Sequence, residues 1–240
     1  MILTKLETLL SKDFAAFRRN KLNLTESDSY IEGQVDFVNR ESNDTTHMTI
    51  ADSEGNVVSS TQTLNAAFGS KIITPKTGML LNNCMALFNT LPGTPNSIGS
   101  GKRMLSSMSP TMVFTNEKPW FALGTPGGIR IFAAVIQAII NIIDHGMSLQ
   151  EALEAPRVWT QSQHVETELG IAVTIKDSLR KMGHEVIDVE KVAGGMNGVM
   201  FQDESPLIYG SACWRADGSP AGFSGGFATP GHNLDPLPNR

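Results

Sequence analysis

A threonine pair, Thr45 and Thr46, follows Asp44 at the start of a run of β-forming residues. Such a pair usually reflects only the preference of threonine for strands. A threonine hydroxyl needs a nearby base to act as a nucleophile, and no Ser/His/Asp order is evident in this sequence. An N-terminal threonine carries its own base, because a free α-amine has a pKa of about 8 and lies close to its own Oγ1. A functional Thr45 therefore requires cleavage of the bond between Asp44 and Thr45.

The glycine-rich segment Gly124–Gly128 directly precedes a long apolar segment. The simplest interpretation is a turn between a strand and a helix, where glycine adopts dihedral angles that other residues avoid. The functional interpretation is that N–H groups at the start of the helix face a developing oxyanion, and the helix dipole adds to the field. Loss of one such donor costs about two to three powers of ten in rate.

Two further polar segments contain side chains that suit substrate binding. Ser106 and Ser107 lie in a serine-rich run ending at Pro110, a composition that usually marks a turn. Paired hydroxyl groups can also bind a carboxylate by donating to each of its oxygens. Thr63 and Asn65 lie two residues apart, so strand alternation places both on one face.

The sequence contains no pattern typical of a metal or nucleotide site. Its five histidines show no metal-ligand spacing and are interpreted as structural or surface residues. Cys84 and Cys213 are far apart and form no Cys-x-x-Cys pair, which argues against a zinc site or a disulfide scaffold. The segment Gly99–Lys102 lacks the upstream glycine and the following Ser or Thr of a P-loop. We expect no metal and no cofactor.

The candidate residues need elements that hold them in place. Residues 45–51 and 57–64 are rich in β-forming residues and flank a turn cluster at 52–56, which predicts a hairpin beginning at Thr45. Residues 129–145 are mostly apolar, and their polar residues form one narrow stripe, which predicts a helix covered on most sides.

Other elements are predicted from local signals. We expect a helix over 4–21 and an exposed connector over 23–43. Ser148 and Glu151 form a capping box that opens a helix ending before Pro156. A further helix ends at 182–183, and strands are predicted over 111–115, 120–123, 184–189, 198–202 and 207–212. Together they predict layered α/β packing with largely antiparallel strands.

Composition excludes several classes of protein. The chain has 240 residues, 40% hydrophobic and 18% charged, which indicates a folded protein with a sizeable core. Its net charge of −5 provides no electrostatic footprint for nucleic acid. Its longest uncharged apolar run, 131–143, is too short to span a bilayer. Charged residues occur too early for a signal peptide, so we expect no membrane partner and a cytoplasmic location.

The order of these motifs resembles the small-subunit portion of the γ-glutamyltranspeptidases and their acylase relatives, which are N-terminal-nucleophile hydrolases. The resemblance covers residues 45–222, about three quarters of the chain. The matching segments are Thr45-Thr46-His47, Gln62-Thr63-Leu64-Asn65, Leu80-Leu81-Asn82-Asn83, 102–111, Gly124-Thr125-Pro126-Gly127-Gly128 and, more faintly, 217–222.

The resemblance implies a role for each candidate residue. Thr45, freed by self-cleavage at Asp44, would attack an amide carbonyl and form an acyl-enzyme. Thr63 would hydrogen-bond the new α-amine and Thr45. The amides of Gly127 and Gly128 would form the oxyanion hole. The side chains that would hold the distal polar end of the acyl group are Asn65, Ser106 and Ser107. Water or an amine would then complete hydrolysis or transfer.

The resemblance also implies an architecture. The expected fold is α+β, a four-layer αββα sandwich of the N-terminal-nucleophile type. Residues 1–44 would be the tail of a large subunit with its processing linker. Residues 45–222 would form the small-subunit domain, and 223–240 a flexible Gly/Pro-rich tail.

Two departures from the family pattern bear on the substrate. The transpeptidases follow their Asn-Asn pair with a polar residue and then an Asp that binds the substrate α-ammonium, whereas Cys84 and Leu87 occupy those positions here. A charged hydrogen bond contributes about 1.5–3 kcal/mol. The hypothesis is a preference for glutaryl or another ω-carboxyl acyl group. In addition, Cys213-Trp214-Arg215 replaces the usual Asp-Pro-Arg.

Nearly all of the large subunit expected from the resemblance is absent from the sequence. The chain is therefore interpreted as half of a split enzyme, a fragment or a remnant. The expected partners are a small-molecule amide and either a large-subunit-like chain or further copies of itself. The alternative is a non-catalytic subunit of the same fold that acts only in assembly with a partner chain.

Overall fold

The computed structural model describes residues 2–27, 44–161, 164–202 and 207–222. Most of the predicted connector and all of the predicted tail at 223–240 lie outside these residues. The helices are α1 (Ile2–Leu10), α2 (Lys12–Arg19), α3 (Ile131–Ile143), α4 (Leu149–Glu154) and α5 (Val173–Lys181). The strands are β1 (Thr45–Ala51), β2 (Val57–Thr63), β3 (Thr111–Thr115), β4 (Lys118–Gly124), β5 (Val158–Gln161), β6 (His164–Glu168), β7 (Glu185–Val189), β8 (Asn197–Phe201) and β9 (Ile208–Ala212).

The predicted hairpin is confirmed as β1 and β2, which pair antiparallel with Thr45 opposite Thr63. Its turn is closed by Asp52, whose Oδ1 accepts hydrogen bonds from the backbone N–H groups of Glu54 and Asn56, both at 2.9 Å. Gly55 adopts a φ of 85°, which glycine tolerates without strain. Local turn chemistry thus sets the register that places Thr45 and Thr63 side by side.

A four-stranded antiparallel sheet, in the order β3-β4-β8-β9, lies against one face of the hairpin. Hydrogen bonds join the two layers: Ser59 Oγ donates to the Leu123 carbonyl at 3.3 Å, and Asn197 Nδ2 donates to the His47 carbonyl at 2.8 Å. The hairpin face that meets the sheet is therefore polar, while Met48 on its opposite face is exposed.

Helices α3 and α4 cover the other face of this sheet and form the core with it. Phe121 and Leu123 alternate along β4 toward the helices, which satisfies the period of two of a strand. The helix residues packed against them are Ile131, Ala134, Val135, Ala138, Ile142, Leu149, Ala152 and Leu153. Burying each large aliphatic side chain contributes about 1.5–3 kcal/mol. The described layers are therefore helix, sheet and hairpin, in an α+β arrangement.

A second, three-stranded sheet has the order β5-β6-β7. Strands β6 and β7 are parallel because α5 connects them as a crossover, whereas the other strand pairs are antiparallel. The expectation of largely antiparallel strands is confirmed. Strands β5 and β6 were absent from the sequence-based prediction, since Val158–Gln161 is short and flanked by polar residues.

The prediction of one continuous helix over 4–21 is wrong. The segment forms two helices because Ser11 leaves the helical conformation and caps α2, its Oγ accepting from the Phe14 N–H at 3.1 Å. A serine side chain that bonds the backbone locally competes with helix continuation. The predicted capping box is confirmed, with Glu151 Oε2 accepting from the Ser148 N–H at 2.8 Å.

Helix α3 differs from its prediction in coverage. It was expected to be covered on most sides, yet Phe132 and Ile136 are 57% and 51% exposed. Only the face that includes Ala134 and Ala138 packs against the sheet. The helix also begins later than predicted, after a 3₁₀ turn over Gly128–Arg130. The helix and its apolar composition were predicted correctly, but it spans 131–143 rather than 129–145, and the layer expected over its outer face is not among the described residues.

Across the described ranges, no helix combines the length and apolar character needed to cross a membrane. Among the same residues, His, Cys, Asp and Glu side chains form no group of three or more that could hold a metal ion. The expected cytoplasmic location stays a prediction.

Candidate active site

Thr45 and Thr63 meet at the open end of the hairpin. The Oγ1 of Thr45 donates to the Oγ1 of Thr63 at 3.1 Å, and both residues are half-buried. The same Thr63 oxygen accepts from the Asn65 N–H at 2.8 Å and lies 3.5 Å from the Asp44 carbonyl oxygen. One hydroxyl therefore contacts the candidate nucleophile, the residue before it and the residue that follows the hairpin.

Asn65 is held beside this pair by a residue that the sequence analysis gave no role. Asn65 has a φ of 75° and its Nδ2 donates to Asn83 Oδ1 at 3.0 Å. The Ala66 N–H donates to the same oxygen at 3.0 Å, and the Asn83 N–H returns a hydrogen bond to the Leu64 carbonyl at 3.1 Å. The Asn82-Asn83 pair is one of the segments that resemble the family. That match was the available signal for Asn83, although it did not indicate the contact with Asn65.

His47 fixes the hairpin against the sheet, two residues after Thr45 on the same face. It is 6% exposed, and its ring nitrogens lie 2.8 Å from Thr61 Oγ1 and 3.0 Å from Thr49 Oγ1. Burial lowers the pKa of His47 to about 4, so the ring is neutral near pH 7. A Cβ on Gly124 would overlap this ring, so only glycine allows the approach. His47 is a structural residue, as interpreted from the sequence.

The Gly124–Gly128 turn follows from this contact. Because His47 packs on Gly124 while Ser59 contacts Leu123, the hairpin runs so that its Thr45 end lies at the end of β4. Gly127 and Gly128 have φ values of 137° and 56°, a region that favours glycine. The Arg130 N–H donates to the Gly127 carbonyl at 3.2 Å and starts the 3₁₀ turn before α3.

The two candidate serines differ in their surroundings. The Ser107 hydroxyl donates to the Gly128 carbonyl at 2.6 Å, which joins Ser107 directly to the glycine-rich turn. Ser106 is exposed, and its Oγ accepts from the Met108 N–H at 3.3 Å. The structure thus brings Ser107 to the turn and leaves Ser106 on the adjoining surface, and their contacts with substrate stay a prediction.

The two residues that depart from the family pattern lie in a short 3₁₀ helix, Cys84–Leu87. It begins directly after Asn83, the residue that holds Asn65, so it adjoins that part of the site. The Cys84 thiol is half-buried, and burial raises its pKa. The raised pKa keeps the Cys84 thiol uncharged, and the Leu87 side chain is apolar. Neither residue therefore offers a carboxylate to a substrate ammonium group.

A buried charged network lies behind the glycine-rich turn and was not predicted. Arg157, Glu168 and Arg215 are almost fully buried, and Arg215 forms a two-point ion pair with Glu168, Nε to Oε1 at 2.7 Å and a second contact from Nη2 to Oε2. Burial and the neighbouring charge of Arg215 lower the pKa of Arg157 to about 10. The Cys213 Sγ accepts from the Met196 N–H at 3.2 Å. Arg157, Glu168 and Arg215 are far apart in the sequence, so no local motif predicts that they form a network.

The arrangement provides the parts for attack on an amide carbonyl. One face of the hairpin carries a hydroxyl pair, and the adjacent turn carries glycine amides at the start of a 13-residue helix. Such amides stabilise a developing oxyanion, and the helix dipole adds to the effect. The missing component is a base beside Thr45, since its nitrogen is an amide while Asp44 remains attached.

Comparison with known proteins is consistent with this geometry. Residues 2–223 match the sequence model of the Gamma-glutamyltranspeptidase family. The chain is 47% identical over 223 residues to the acylase ACY 1 proenzyme of Pseudomonas sp. (strain V22), covering 93% of this chain and 39% of that protein. It is 33% identical over 235 residues to the glutathione hydrolase proenzyme of Bacillus subtilis (strain 168), covering 91% of this chain and 40% of that protein.

Among solved structures, the cephalosporin acylase from Bacillus halodurans is similar with a TM-score of 0.80 at 28% identity, covering 92% of this chain and 40% of that chain. The chain thus spans about two fifths of the length of the curated relatives it matches. The matched region includes the hairpin, the glycine-rich turn and the serine segment. On this evidence the chain belongs to the gamma-glutamyltranspeptidase family.

Proposed function

We propose that this chain provides the nucleophile and oxyanion hole of an amide hydrolase or acyltransferase, activated by cleavage between Asp44 and Thr45. The observation that carries the proposal is the 3.1 Å contact between the Thr45 and Thr63 hydroxyls at the end of the hairpin. The names of its relatives, an acylase proenzyme and a glutathione hydrolase proenzyme, agree with both activities and with a processed precursor.

Cleavage would supply the missing base. Hydrolysis of the Asp44–Thr45 bond leaves a carboxylate on Asp44 and a free α-amine on Thr45. It also separates the Asp44 carbonyl from Thr63, whose hydroxyl proton can then reach the new amine instead. The amine has a pKa close to neutrality, so it can accept the Thr45 Oγ1 proton near pH 7.

The acyl transfer follows from these groups. Thr45 Oγ1 bonds to the amide carbon while its proton passes to the α-amine, and the oxyanion faces the Gly127 and Gly128 N–H groups. The C–N bond then breaks, the leaving amine takes the proton and the acyl group remains as an ester on Thr45. Water or a second amine releases the acyl group by the same steps in reverse.

For the substrate, we propose an acyl group with a distal carboxylate and without an α-ammonium, as in a glutaryl amide. Asn65, Ser106 and Ser107 would bind its distal end. Leu87 leaves no carboxylate for an ammonium group, and the acylase relative, at 47% identity, is more similar than the glutathione hydrolase relative at 33%. Both observations favour the same choice.

The substrate proposal is tested by comparing kcat/KM on glutaryl- and γ-glutamyl-p-nitroanilide. Wild type should favour the glutaryl compound. Leu87→Asp should shift the ratio toward γ-glutamyl by roughly tenfold or more, because a charged hydrogen bond contributes about 1.5–3 kcal/mol. Met85→Asp, an exposed position in the same short helix, is the matched control. A wild-type preference for γ-glutamyl would reject the substrate and leave the mechanism in place.

We further propose that a large-subunit-like chain completes the protein and adds the outer layer of a four-layer αββα sandwich. Apolar side chains are exposed on both outer surfaces of the described layers, on α3 (Phe132, Ile136, Ile143) and on the hairpin (Met48, Ile50, Val58). Each relative has about 60% of its length outside the match, since the chain covers 39% and 40% of them. That length is ample for a covering layer.

Processing is tested by intact mass after expression together with the large subunit of the precursor. Cleavage predicts a chain that starts at Thr45, and Thr45→Ala should abolish it. Thr46→Ala, an exposed neighbour, should still be cut. A wild-type chain that stays whole with its large subunit present would favour the second candidate, a non-catalytic subunit that acts only in assembly.

A further inference from the structure

The orientation of the Gly127 amide is set by the carbonyl of the residue before it. The Pro126 carbonyl oxygen accepts two hydrogen bonds, from Thr125 Oγ1 at 2.9 Å and from the Gly194 N–H at 2.8 Å. In a planar trans peptide the C=O and the following N–H point in opposite directions. Holding the Pro126 oxygen toward Gly194 therefore turns the Gly127 N–H away from Gly194.

The next two carbonyls are held as well. The Gly127 oxygen accepts from the Arg130 N–H at 3.2 Å, which by the same planarity fixes the direction of the Gly128 N–H. The Gly128 oxygen accepts from the Ser107 hydroxyl at 2.6 Å. Within the described part of the chain, the N–H groups of Gly127 and Gly128 donate to no acceptor. Their partner is therefore expected from outside, as an oxyanion would be.

The loop Val192–Met196 packs directly behind the turn. A Cβ on Gly127 would lie 2.5 Å from the Ala193 Cα, and a Cβ on Gly194 would lie 2.7 Å from the Pro126 Cγ. The contact therefore leaves no room for a side chain on Gly127 or Gly194, because the backbone and Cβ of Ala193 and the ring of Pro126 already fill the space. Any movement of the loop would be transmitted to the Pro126–Gly127 peptide.

Two side chains tie this loop in place. The Thr125 hydroxyl, fully buried, lies 3.0 Å from the Gly194 carbonyl oxygen as well as against the Pro126 oxygen. The Arg157 guanidinium, 2% exposed, donates from Nη1 to the Gly194 carbonyl at 3.1 Å and to the Val192 carbonyl at 3.2 Å. Both groups converge on the Gly194 carbonyl.

The charged network holds the loop from its other side. Glu168 Oε1 accepts from the Val192 N–H at 2.7 Å and from Arg215 Nε at 2.7 Å. Buried ion pairs give little net stability because desolvation offsets their attraction, and their retention needs another explanation in each protein. Here the hydrogen bonds of the network end on the loop that backs the oxyanion turn.

We propose that Thr125 and Arg157 are positioning residues, which hold the Gly127 amide toward the reacting carbonyl, Thr125 through the Pro126 oxygen and Arg157 through Gly194. The expected effect on catalysis rests on the proposed function. The structural part of the inference, the control of the Pro126–Gly127 peptide by the Thr125 hydroxyl, stands on the contacts above.

The test compares Thr125→Val, which removes the hydroxyl at nearly constant shape, with Thr125→Ser, which keeps it. Each variant is made in the processed protein with its large subunit and assayed on glutaryl-p-nitroanilide. Thr125→Val should lower kcat by about 10- to 100-fold with KM changed less than about threefold. The reason is that a misplaced Gly127 N–H weakens stabilisation of the transition state and leaves substrate binding nearly unchanged. Thr125→Ser should stay within about threefold of wild type.

Thr167→Val is the matched control for the loss of a buried hydroxyl. Thr167 is also fully buried, and its Oγ1 donates to Asp188 Oδ1 at 3.1 Å on the neighbouring strand β7 rather than to the glycine-rich turn. It should lower the unfolding temperature as Thr125→Val does while leaving kcat unchanged. Equal kcat losses in both valine variants, or none in Thr125→Val, would overturn the positioning role.

A second readout does not depend on activity. Hydrogen exchange of the Gly194 amide, which donates to the Pro126 oxygen at 2.8 Å, should be faster by more than about tenfold in Thr125→Val and not in Thr125→Ser when followed by NMR, since the Thr125 hydroxyl holds the same oxygen. An inactive wild type with this exchange pattern would reject the proposed function and support the positioning inference. An active wild type with unchanged exchange in Thr125→Val would support the proposed function and reject the positioning inference.

Discussion

At the scale of single residues, the site depends on hydroxyl groups that each make several contacts. Thr63 joins Thr45, Asp44 and Asn65, so its position is fixed from three directions. Its side chain is β-branched, which also restricts χ1. In the proposed mechanism, Thr45 is held by this hydroxyl and needs no large movement to begin attack once its own amine is free.

His47 makes the stability of the hairpin depend on pH. Its pKa is about 4 in the folded chain because of burial, and 6.5 is the ordinary value. The unfolded chain therefore binds more protons between these values, so the free energy of unfolding should fall as pH decreases from 6.5 to 4, by an amount on the order of 3 kcal/mol.

Urea unfolding of the whole chain at several pH values between 4 and 7.5 measures this dependence. His47→Gln should flatten it, while His145→Gln, at an exposed position, should leave it intact. An unchanged slope in His47→Gln would show that other groups cause the loss at low pH.

At the scale of elements, the contact between β1 and β4 decides where Thr45 lies. Gly124 ends β4 and meets the His47 ring, and Asn197 on β8 binds both the His47 carbonyl and, at 3.2 Å, the Thr49 hydroxyl. The hairpin is therefore attached to the sheet at the point from which the glycine-rich turn begins. Its polar inner face is a consequence of this attachment.

Gly124→Ala should push the hairpin away from the sheet. The added methyl group overlaps the His47 ring, and overpacking of this kind costs about 1–3 kcal/mol. We expect that loss in the free energy of unfolding, measured by urea denaturation, with a fall in the extent of cleavage at Thr45. The double variant Gly124→Ala with His47→Ala removes the clash, so the two changes should be clearly non-additive. Additive effects would place the strain elsewhere.

At the scale of the whole molecule, the described layers expose apolar side chains on both outer surfaces, on the hairpin and on α3. Helix α3 buries one face against the sheet and exposes Phe132 and Ile136 on the other. Apolar side chains clustered on an exposed face are typical of surfaces that bind another protein. The matched relatives are longer than this chain by a length that suits a covering layer.

Without a large subunit, the chain should self-associate through this face. Ile136→Gln should raise the monomer fraction in sedimentation velocity, because it replaces a 51% exposed apolar side chain by a polar one. Leu169→Gln, at an exposed loop position after β6, is the control and should change little. Equal effects of both variants would indicate nonspecific association.

The local sequence determined those features that neighbouring residues control. The hairpin register follows from the Asp52 turn and the β-forming runs beside it, so Thr45 opposite Thr63 was predictable. The capping box at Ser148 and the turn before α3 were predictable for the same reason. The break at Ser11 overturned a local prediction, since a serine can either continue a helix or cap the next one.

The tertiary structure alone decided which distant residues support the site. Arg157 reaches Gly194, Ser107 reaches Gly128 and His47 packs on Gly124, contacts between segments that are far apart in the chain. No spacing rule predicts such pairs, because they depend on how the sheet, hairpin and loop stack. For the same reason the apolar composition of α3 predicted that it would be buried, but only its packing against one sheet showed which face remains uncovered.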